Sequence, residues 1–382
     1  MEFDFTWLLW GLPLAFALGW LASRFDLRQW RMESRQAPRA YFRGLNHLLN
    51  EQQDQAIDAF IEAVQNDPDT SELHFALGNL FRRRGDYDRA VRVHEHLLSR
   101  ADLSVKDRQR AQHALAQDFL KAGLLDRAEL ALSRLDSTPF EQEARLSRLA
   151  IYERTREWDK ATEMARLLED TPHGSFRLRL AHYQCEQAEQ LRQDNHTTEA
   201  LTRLEMVVQE APQSARAWIA LADLRHTLQN TEGAWQALLE LNRHAPGHTP
   251  LIAHNLVIWA RLLHREDETR CLLEDWAHHH PPSLDVTQAL ATLEPDQARA
   301  RRFYIDHLRK EPSLVAAGLW LAAVPVGTPE EDTLIKQALD RACNPLKRYR
   351  CAACGFEARQ YFWQCPGCQS WDSYPPQRVE EL

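Results

Sequence analysis

The sequence contains few of the residues that catalytic loops and β-rich folds require. Only 13 of its 382 residues are glycine, about half the usual share, which disfavours nucleotide-cradling loops and folds with many tight turns. No phosphate-binding loop, nucleophile elbow or HExxH motif is present. Basic residues are also in the minority, because 46 Lys and Arg face 55 Asp and Glu. The resulting net charge of −9 argues against a general nucleic-acid-binding protein.

Cysteine is sparse and unevenly distributed. There are seven cysteines, and four of them fall within eighteen residues near the C-terminus. An odd count and local clustering argue against a disulfide framework. Ala, Leu, Arg, Glu and Gln are abundant instead, and because these are strong helix formers we predict an all-α fold. The hydrophobic fraction of 44% and charged fraction of 26% are ordinary for a folded soluble protein. The length allows two or three domains.

The first apolar run predicts a single membrane-spanning helix. Residues 5–23 carry no charged side chain and would form a helix about 28 Å long, which matches a hydrocarbon core of about 30 Å. A cleaved signal peptide fits less well, because the leader carries Glu2 and Asp4 instead of basic residues and no small-residue cleavage site follows. A buried core helix is the other alternative. We predict a transmembrane anchor over residues 1–23.

Arginines after this run set the predicted orientation. Arg24, Arg28 and Arg31 begin a series of six arginines, whereas no Lys or Arg precedes the apolar run. The positive-inside rule therefore places residues 24–382 on the cytoplasmic side. These membrane-flanking arginines either contact anionic lipid headgroups as well or serve only to fix the topology. Residues 24–36 are predicted to form a basic juxtamembrane linker.

Self-similarity with a period near 34 residues characterises the middle of the chain. Gly44 and Gly78 lie 34 residues apart, as do Ala56 and Ala90. The series of alanines continues further along the chain at Ala128, Ala161, Ala200 and Ala234. Small residues at these positions would let paired helices approach closely. This helix–turn–helix pattern resembles the tetratricopeptide repeat, most closely in the segment LGNLFRRRGDYDRA.

The repeat implies a tetratricopeptide-repeat superhelix, or α-solenoid, over residues 37–345. Clear units end near residue 248, and two or three degenerate units follow. In repeats of this type the first helix of each unit lines a concave groove that binds partners. The predicted partner-binding residues are Tyr41, Leu45, Phe75, Asn79, Arg82 and Arg83. An asparagine beside two arginines could hold an extended backbone and an acidic side chain, and a solvated helix face is the alternative.

Two CxxC pairs near the C-terminus carry the strongest chemical signal. Cys351 and Cys354 form the first pair, Cys365 and Cys368 form the second, and ten residues separate the two. Each tight turn aims two thiolates at one point, so two turns complete a tetrahedral S₄ shell about 2.3 Å from a metal ion. So short a segment cannot bury enough apolar surface to fold unaided. We therefore predict a rubredoxin-like or zinc-ribbon module over residues 346–382 that binds one metal ion.

The identity of the metal is open between zinc and iron, because S₄ sites accept either. Zinc is favoured, since an electron-transfer rubredoxin normally has a longer gap between its pairs and a glycine after each, whereas Gln369 follows the second pair here. A redox dithiol is the other alternative, and two pairs at ribbon spacing disfavour it. The remaining cysteines, Cys185, Cys271 and Cys343, are expected to be small buried residues.

The combination of these segments resembles the lipopolysaccharide assembly protein B family of bacterial inner-membrane proteins. The resemblance rests on GLNHLLNEQQDQAIDAF and LGNLFRRRGDYDRAVRVH in the repeats and on YRCAACGF and YFWQCPGCQSW in the ribbon. It covers the full length and weakens between residues 249 and 345. It implies an inner-membrane protein with a periplasmic N-terminus, a cytoplasmic array and a ribbon that packs on this array.

The resemblance also implies a function. Members of this family are adaptors without catalytic activity that help the membrane AAA+ protease FtsH degrade the deacetylase LpxC, which commits precursors to lipid A synthesis. A membrane sensor of lipopolysaccharide supply and lipopolysaccharide synthesis or transport proteins are further implied partners. The alternative is a scaffold that assembles such proteins without promoting proteolysis. Nucleic-acid binding by the ribbon is not expected, because Glu357 and Asp372 offset Arg350 and Arg359.

Overall fold

The structure, a computed structural model, is predominantly helical wherever it is described. The described residues are 15–20, 40–66, 70–169, 175–322, 324 and 327–382. The chain divides into two compact units, residues 1–151 and 152–382. The helices that begin in the first unit are α1 (40–49), α2 (Gln53–Asn66), α3 (Ser71–Arg84), α4 (Tyr87–Ser99), α5 (Val105–Ala122), α6 (Leu125–Ser133) and α7 (Glu141–Thr155).

The second unit continues with helices and ends in a small ribbon. Its helices are α8 (Trp158–Glu169), α9 (Arg177–Gln193), α10 (Thr197–Glu210), α11 (Ala215–Thr227), α12 (Thr231–His244), α13 (Thr249–Leu263), α14 (Glu266–His279), α15 (Leu284–Leu293), α16 (Gln297–Lys310), α17 (Leu314–Ala322) and α18 (Pro329–Cys343). The ribbon contains β1 (Tyr349–Arg350) and β2 (Glu357–Ala358), which pair in antiparallel fashion.

Within each unit, successive helices pack as hairpins stacked side by side. In the first unit α3 packs on α4, and α4 packs on α5. The helices α3 and α5, each the first helix of its hairpin, are also in contact. The second unit has the same arrangement of hairpins. In it, α9 contacts both α10 and α11, and α13 contacts both α14 and α15. Contacts between neighbouring hairpins are typical of a tetratricopeptide array, in which each unit buries its apolar face against the next.

The small residues of the 34-residue period lie where paired helices meet. The six alanines of the series are all 0% exposed: Ala56, Ala90, Ala128, Ala161, Ala200 and Ala234. The glycines of the period face a ring on the second helix of their hairpin. A Cβ on Gly44 would lie 2.9 Å from the ring of Phe60, and one on Gly78 would lie 2.5 Å from His94. The absence of a side chain is therefore what brings these helices together.

His94 occupies the position in its hairpin that Phe60 occupies in the preceding one, 34 residues earlier. A buried imidazole needs polar partners, and His94 lies 2.5 Å through Nδ1 from Oδ2 of the fully buried Asp118. Arg82 donates to the other carboxylate oxygen of Asp118 over 2.8 Å. This triad joins α3, α4 and α5.

The second unit has a continuous apolar core that runs from α9 to α15. Its largest fully buried side chain is Trp235 of α12, whose ring nitrogen donates to Thr269 on α14 over 3.4 Å. Side chains also cap the N-termini of two helices of this unit: Ser214 accepts a backbone N–H bond at the start of α11, and Asn230 accepts one at the start of α12. Three further hairpins occupy the interval in which the sequence pattern decays: α13–α14, α15–α16 and α17–α18.

The predicted membrane anchor lies mostly outside the described residues. Residues 15–20 are helical, with Phe16 77% exposed and Leu18 62% exposed. Among the residues that the structure describes, no helix has the length and apolarity needed to span a bilayer. The flanking arginines Arg24, Arg28 and Arg31 are outside the described residues. The anchor and its orientation remain predictions.

The packing of Gly78 predicts the effect of adding one methyl group. Gly78→Ala should destabilise the first unit by about 2 kcal/mol, because the Cβ would meet a His94 ring that Asp118 already holds in place. The measurement is urea unfolding followed by circular dichroism. Gly247→Ala is the control, since a Cβ there meets nothing within 4 Å, and its expected change is within about 0.5 kcal/mol. Equal stability of the two variants would contradict this packing.

Candidate metal centre

Each CxxC pair lies in a turn flanked by a short antiparallel pairing. Strands β1 and β2 flank the first turn, with Tyr349 opposite Ala358. The bridge between Gln364 and Trp371 flanks the second. The sequence therefore builds the same local structure twice, and the two turns face each other.

Backbone hydrogen bonds shape both turns in the same way. The N–H of Gly355 donates to the carbonyl of Cys351 over 2.9 Å, and the N–H of Gln369 donates to the carbonyl of Cys365 over 2.8 Å. Both donors adopt left-handed backbone conformations, with φ of +78° at Gly355 and +62° at Gln369. Glycine adopts this conformation without strain, whereas a residue with a Cβ does so at a cost.

The four sulfur atoms converge in the geometry of a tetrahedral site. All four Sγ atoms lie within 4.8 Å of one another, with 3.8 Å between Cys351 and Cys368 and 3.7 Å between Cys354 and Cys365. Sulfurs bound at 2.3 Å around a tetrahedral metal are about 3.8 Å apart, whereas a disulfide would need about 2.05 Å. The predicted ligands are thus brought together, and this donor set fits one zinc or iron ion.

The protonation of these thiols also favours a cation. Burial opposes ionisation of Cys351, yet its hydrogen bond with the Ser373 hydroxyl and its hydrogen bonds with two backbone amides lower its pKa to about 6. A backbone amide favours the thiolate of Cys354, but desolvation and the neighbouring sulfurs outweigh it and raise the pKa to about 12. The hydrogen bonds that Cys368 shares with the hydroxyl and the backbone amide of Ser370 lower the pKa of its thiol. The sulfurs thus compete for negative charge, and a metal ion would remove this conflict.

One side of the cluster is buried against aromatic residues and the other faces solvent. Cys351 is 1% exposed and Cys365 is 0% exposed, whereas Cys354 and Cys368 are exposed. Tyr374, 2% exposed, packs against the buried pair and donates through its hydroxyl to the carbonyl of Phe356 over 3.1 Å. Tyr349, Tyr361 and Phe362 belong to the same cluster, so aromatic side chains supply the small core of the ribbon.

The ribbon is fixed to the helices of its own unit by Trp371 and Asp372. The ring of Trp371 stacks on His182 of α9 at a centroid distance of 4.7 Å, and its N–H donates to Glu153 over 3.1 Å. Nε2 of His182 lies 2.9 Å from the carboxylate of Asp372. His182 is 2% exposed, and it could not be identified from the sequence, because a lone histidine on a helix is not distinctive.

The last residues of the C-terminal module contact the first turns of two helices, α15 and α17. Arg378 forms a bidentate ion pair with Asp285 of α15, with both N···O distances 3.0 Å. Glu381 accepts from the backbone N–H of Leu284 over 2.6 Å. Glu380 accepts from the N–H of Val315 in α17 over 3.2 Å. Carboxylates at helix N-termini satisfy free N–H groups and complement the helix dipole.

The predicted partner-binding residues of the first unit have mixed environments. Phe75 is 1% exposed and packs with Leu97 and Ala111, which corrects the expectation that it lines an open groove. Arg82 is held by Asp118, and it also donates to Oδ1 of Asn79 over 2.5 Å. The residues outside this internal network are the exposed Leu45 and Arg83 and the partly buried Tyr41. Phe75 is buried because α4 and α5 cover the face of α3 on which it lies.

Two of the three remaining cysteines are buried as expected. Cys185 and Cys343 are each 3% exposed, and burial raises the pKa of Cys185 to about 11. Cys271 is exposed on α14, so the expectation of burial was wrong there. Its thiol lies at a solvent-facing position of α14, in the part of the chain where the 34-residue repeat pattern is weak.

Comparison with known proteins agrees with both parts of this architecture. A family model described as rubredoxin metal binding domain matches residues 349–375, and two models described as tetratricopeptide repeat match residues 73–109 and 185–248. Lipopolysaccharide assembly protein B of Escherichia coli K12 is 31% identical over 383 residues, covering 96% of this chain and 97% of its own length. This chain belongs to the lipopolysaccharide assembly protein B family.

Two further proteins are similar to this chain. The family member from Haemophilus influenzae is 28% identical over 388 residues, covering 97% of this chain and 98% of its own. A solved tetratricopeptide repeat protein from Parabacteroides merdae aligns with 68% of this chain and 99% of its own, at 13% identity and a TM-score of 0.34. The family assignment made from the sequence is confirmed, as is the combination of helical repeats with a C-terminal ribbon.

The convergence of the sulfurs predicts a specific dependence of metal content on the CxxC pairs. Replacing Cys354 and Cys368 together by serine should reduce bound metal from about one equivalent to near zero, because two of four ligands are lost. Elemental analysis of the purified protein measures the metal and identifies it as zinc or iron. Cys271→Ser removes an exposed thiol outside the cluster and should leave the metal content unchanged. Full metal content in the double variant would exclude this site.

The backbone at Gln369 predicts a stabilising substitution. Gln369→Gly should stabilise the metal-loaded ribbon by about 1 kcal/mol, because glycine relieves the left-handed strain. Gly355→Ala is the matched opposite change in the first turn and should destabilise the ribbon by a similar amount. The rate of metal transfer to a colorimetric chelator measures both effects. Faster release from Gln369→Gly than from the unmodified protein would be incompatible with this geometry.

Proposed function

We propose that this protein is a non-catalytic inner-membrane adaptor that regulates lipopolysaccharide synthesis by promoting FtsH-dependent proteolysis of the deacetylase LpxC. The observation that carries the proposal is the match to proteins named lipopolysaccharide assembly protein B over nearly the whole chain. That match includes the helical repeats and the four-cysteine ribbon together, and this pairing distinguishes the family from repeat proteins in general.

The proposed mechanism is confinement of weak contacts to the plane of the membrane. A transmembrane segment over residues 1–23 would hold the cytoplasmic array beside a protease that lies in the same membrane. Confinement raises the effective concentration, so that modest individual affinities suffice. The array would bind client or protease through its helix faces, and the anchor with Arg24, Arg28 and Arg31 would meet the membrane sensor and the synthesis or transport proteins.

The proposed role of the ribbon is structural support of the array. A bound metal would supply the folding free energy that this short segment lacks. The contacts of Trp371, Asp372 and Arg378 with the helices support a brace at the C-terminal part of the second unit. No nucleic-acid role is proposed, and in the ribbon Arg350 is paired with Glu357 at 2.8 Å.

The anchor provides the decisive functional experiment. Deleting residues 1–23 should lengthen the half-life of LpxC in cells, because the array would no longer be concentrated near the protease. A chimaera in which an unrelated membrane span replaces residues 1–23 is the control, and it should restore rapid turnover if confinement is what matters. Pulse-chase measurement of LpxC gives the readout.

The same measurement separates the adaptor from the alternative scaffold. A strain that lacks the whole protein should also show a prolonged LpxC half-life. An unchanged half-life in that strain would exclude the adaptor role and leave a scaffold that assembles lipopolysaccharide synthesis or export proteins.

A further inference from the structure

A groove in the second unit lies between the first helices α9 and α11 and reaches the ribbon. It has a volume of about 440 Å³. Its apolar lining includes Ala188 of α9 and Ile219, Ala220 and Leu224 of α11, and Trp363 of the ribbon also lines it. Trp363 packs on the core of the same helices and lies 6.0 Å from the ring of His182. The groove is therefore assembled from both the repeats and the ribbon.

The positive charges in this groove are already neutralised. Arg192 forms an ion pair with Glu189 at 2.6 Å, and Arg216 forms one with Glu186 at 2.6 Å. The guanidinium of Arg216 also lies 5.7 Å above the ring of Trp371. These arginines have little capacity left for an acidic ligand, which distinguishes this groove from the acid-binding arrangement that the sequence suggested for the first unit.

One negative charge in the groove is not neutralised. Asp223 of α11 lines it, and within the part of the chain that the structure describes its carboxylate has no ion-pair or hydrogen-bond partner. Desolvation by the surrounding protein raises the pKa of this carboxyl, and the neighbouring His226 opposes the shift. Asp223 is exposed at the surface of the groove, so a cationic donor from a ligand can reach its carboxylate and form a charge-assisted hydrogen bond with it.

We propose that this groove binds an extended peptide segment of a protein partner, with an apolar side chain on Ile219, Ala220 and Trp363 and an adjacent Lys or Arg side chain on Asp223. The charge of the groove favours one class of occupant: among the described charged residues that line it, Asp223 is the one without an ion-pair partner, so a basic peptide complements the groove better than an acidic one.

This inference rests on the proposed function, because it treats the array as a docking platform for proteins. It is tested with purified detergent-solubilised full-length protein, loaded with zinc, in the absence of protease and client. A negative result in this binding test is therefore distinguishable from a negative result for the adaptor role, because the adaptor role is tested by the half-life of LpxC in cells.

The probe is a phage-displayed library of random dodecapeptides selected on the unmodified protein. The expected consensus places Lys or Arg next to a Leu, Ile, Val or aromatic residue. Synthetic peptides of that consensus should bind the Asp223→Asn variant about tenfold more weakly, because a charged hydrogen bond is lost. Binding to Asp223→Lys should be weaker still.

Two comparisons assign the effect to this carboxylate. Glu210→Lys makes the same charge change at an exposed position on α10 outside the groove, and peptide affinity should stay within about twofold. A peptide in which the basic residue is replaced by Glu should bind Asp223→Lys about tenfold more tightly than it binds the unmodified protein. Absence of any basic consensus, or equal affinity for Asp223→Lys and Glu210→Lys, would overturn the proposal.

Discussion

Mutual repulsion among four converging sulfurs is the constraint on which the C-terminal part of the structure depends. Their Sγ atoms all lie within 4.8 Å of one another, a spacing at which several thiolates repel unless a cation lies between them. Hydrogen bonds already join the two halves of the ribbon, from the N–H of Ala352 to the carbonyl of Ser373 over 2.7 Å and from the Tyr374 hydroxyl to the carbonyl of Phe356 over 3.1 Å, and a metal ion would join them at the sulfurs as well. Because the ribbon touches α9 through Trp371 and α15 through Arg378, loss of this ion would loosen contacts well beyond the ribbon itself.

The contacts of the ribbon show how a small module can order a stack of helices. Two of its attachments fall at the first turns of helices, where N–H groups have no intrahelical acceptor. Glu381 and Glu380 accept from the N-termini of α15 and α17, and Asp372 binds His182 near the start of α9. The C-terminal segment therefore provides capping interactions to helices far away in sequence, and those helices are positioned relative to one another by the same residues.

The parts of the fold that could be predicted from sequence are those fixed by short-range rules. A 34-residue period with Ala56, Ala90 and their equivalents requires close helix pairing whatever the surroundings are, and two CxxC pairs bring four sulfurs together through local turns. The exposure of single side chains could not be predicted, because it depends on neighbouring hairpins. Phe75 looked like a groove residue and is covered by α4 and α5, while His182 gave no signal because its partners are about 190 residues away.

The buried triad of the first unit raises the question of why a repeat should place charge in its core. A buried ion pair is weak evidence for stability, since desolvation offsets much of the attraction. Neighbouring hairpins of similar shape, however, can pack apolar surfaces in more than one register. Asp118 can accept from both His94 and Arg82 in only one arrangement of α3, α4 and α5. We infer that the triad specifies how these three helices align, whereas small residues such as Gly78 determine only how closely they approach.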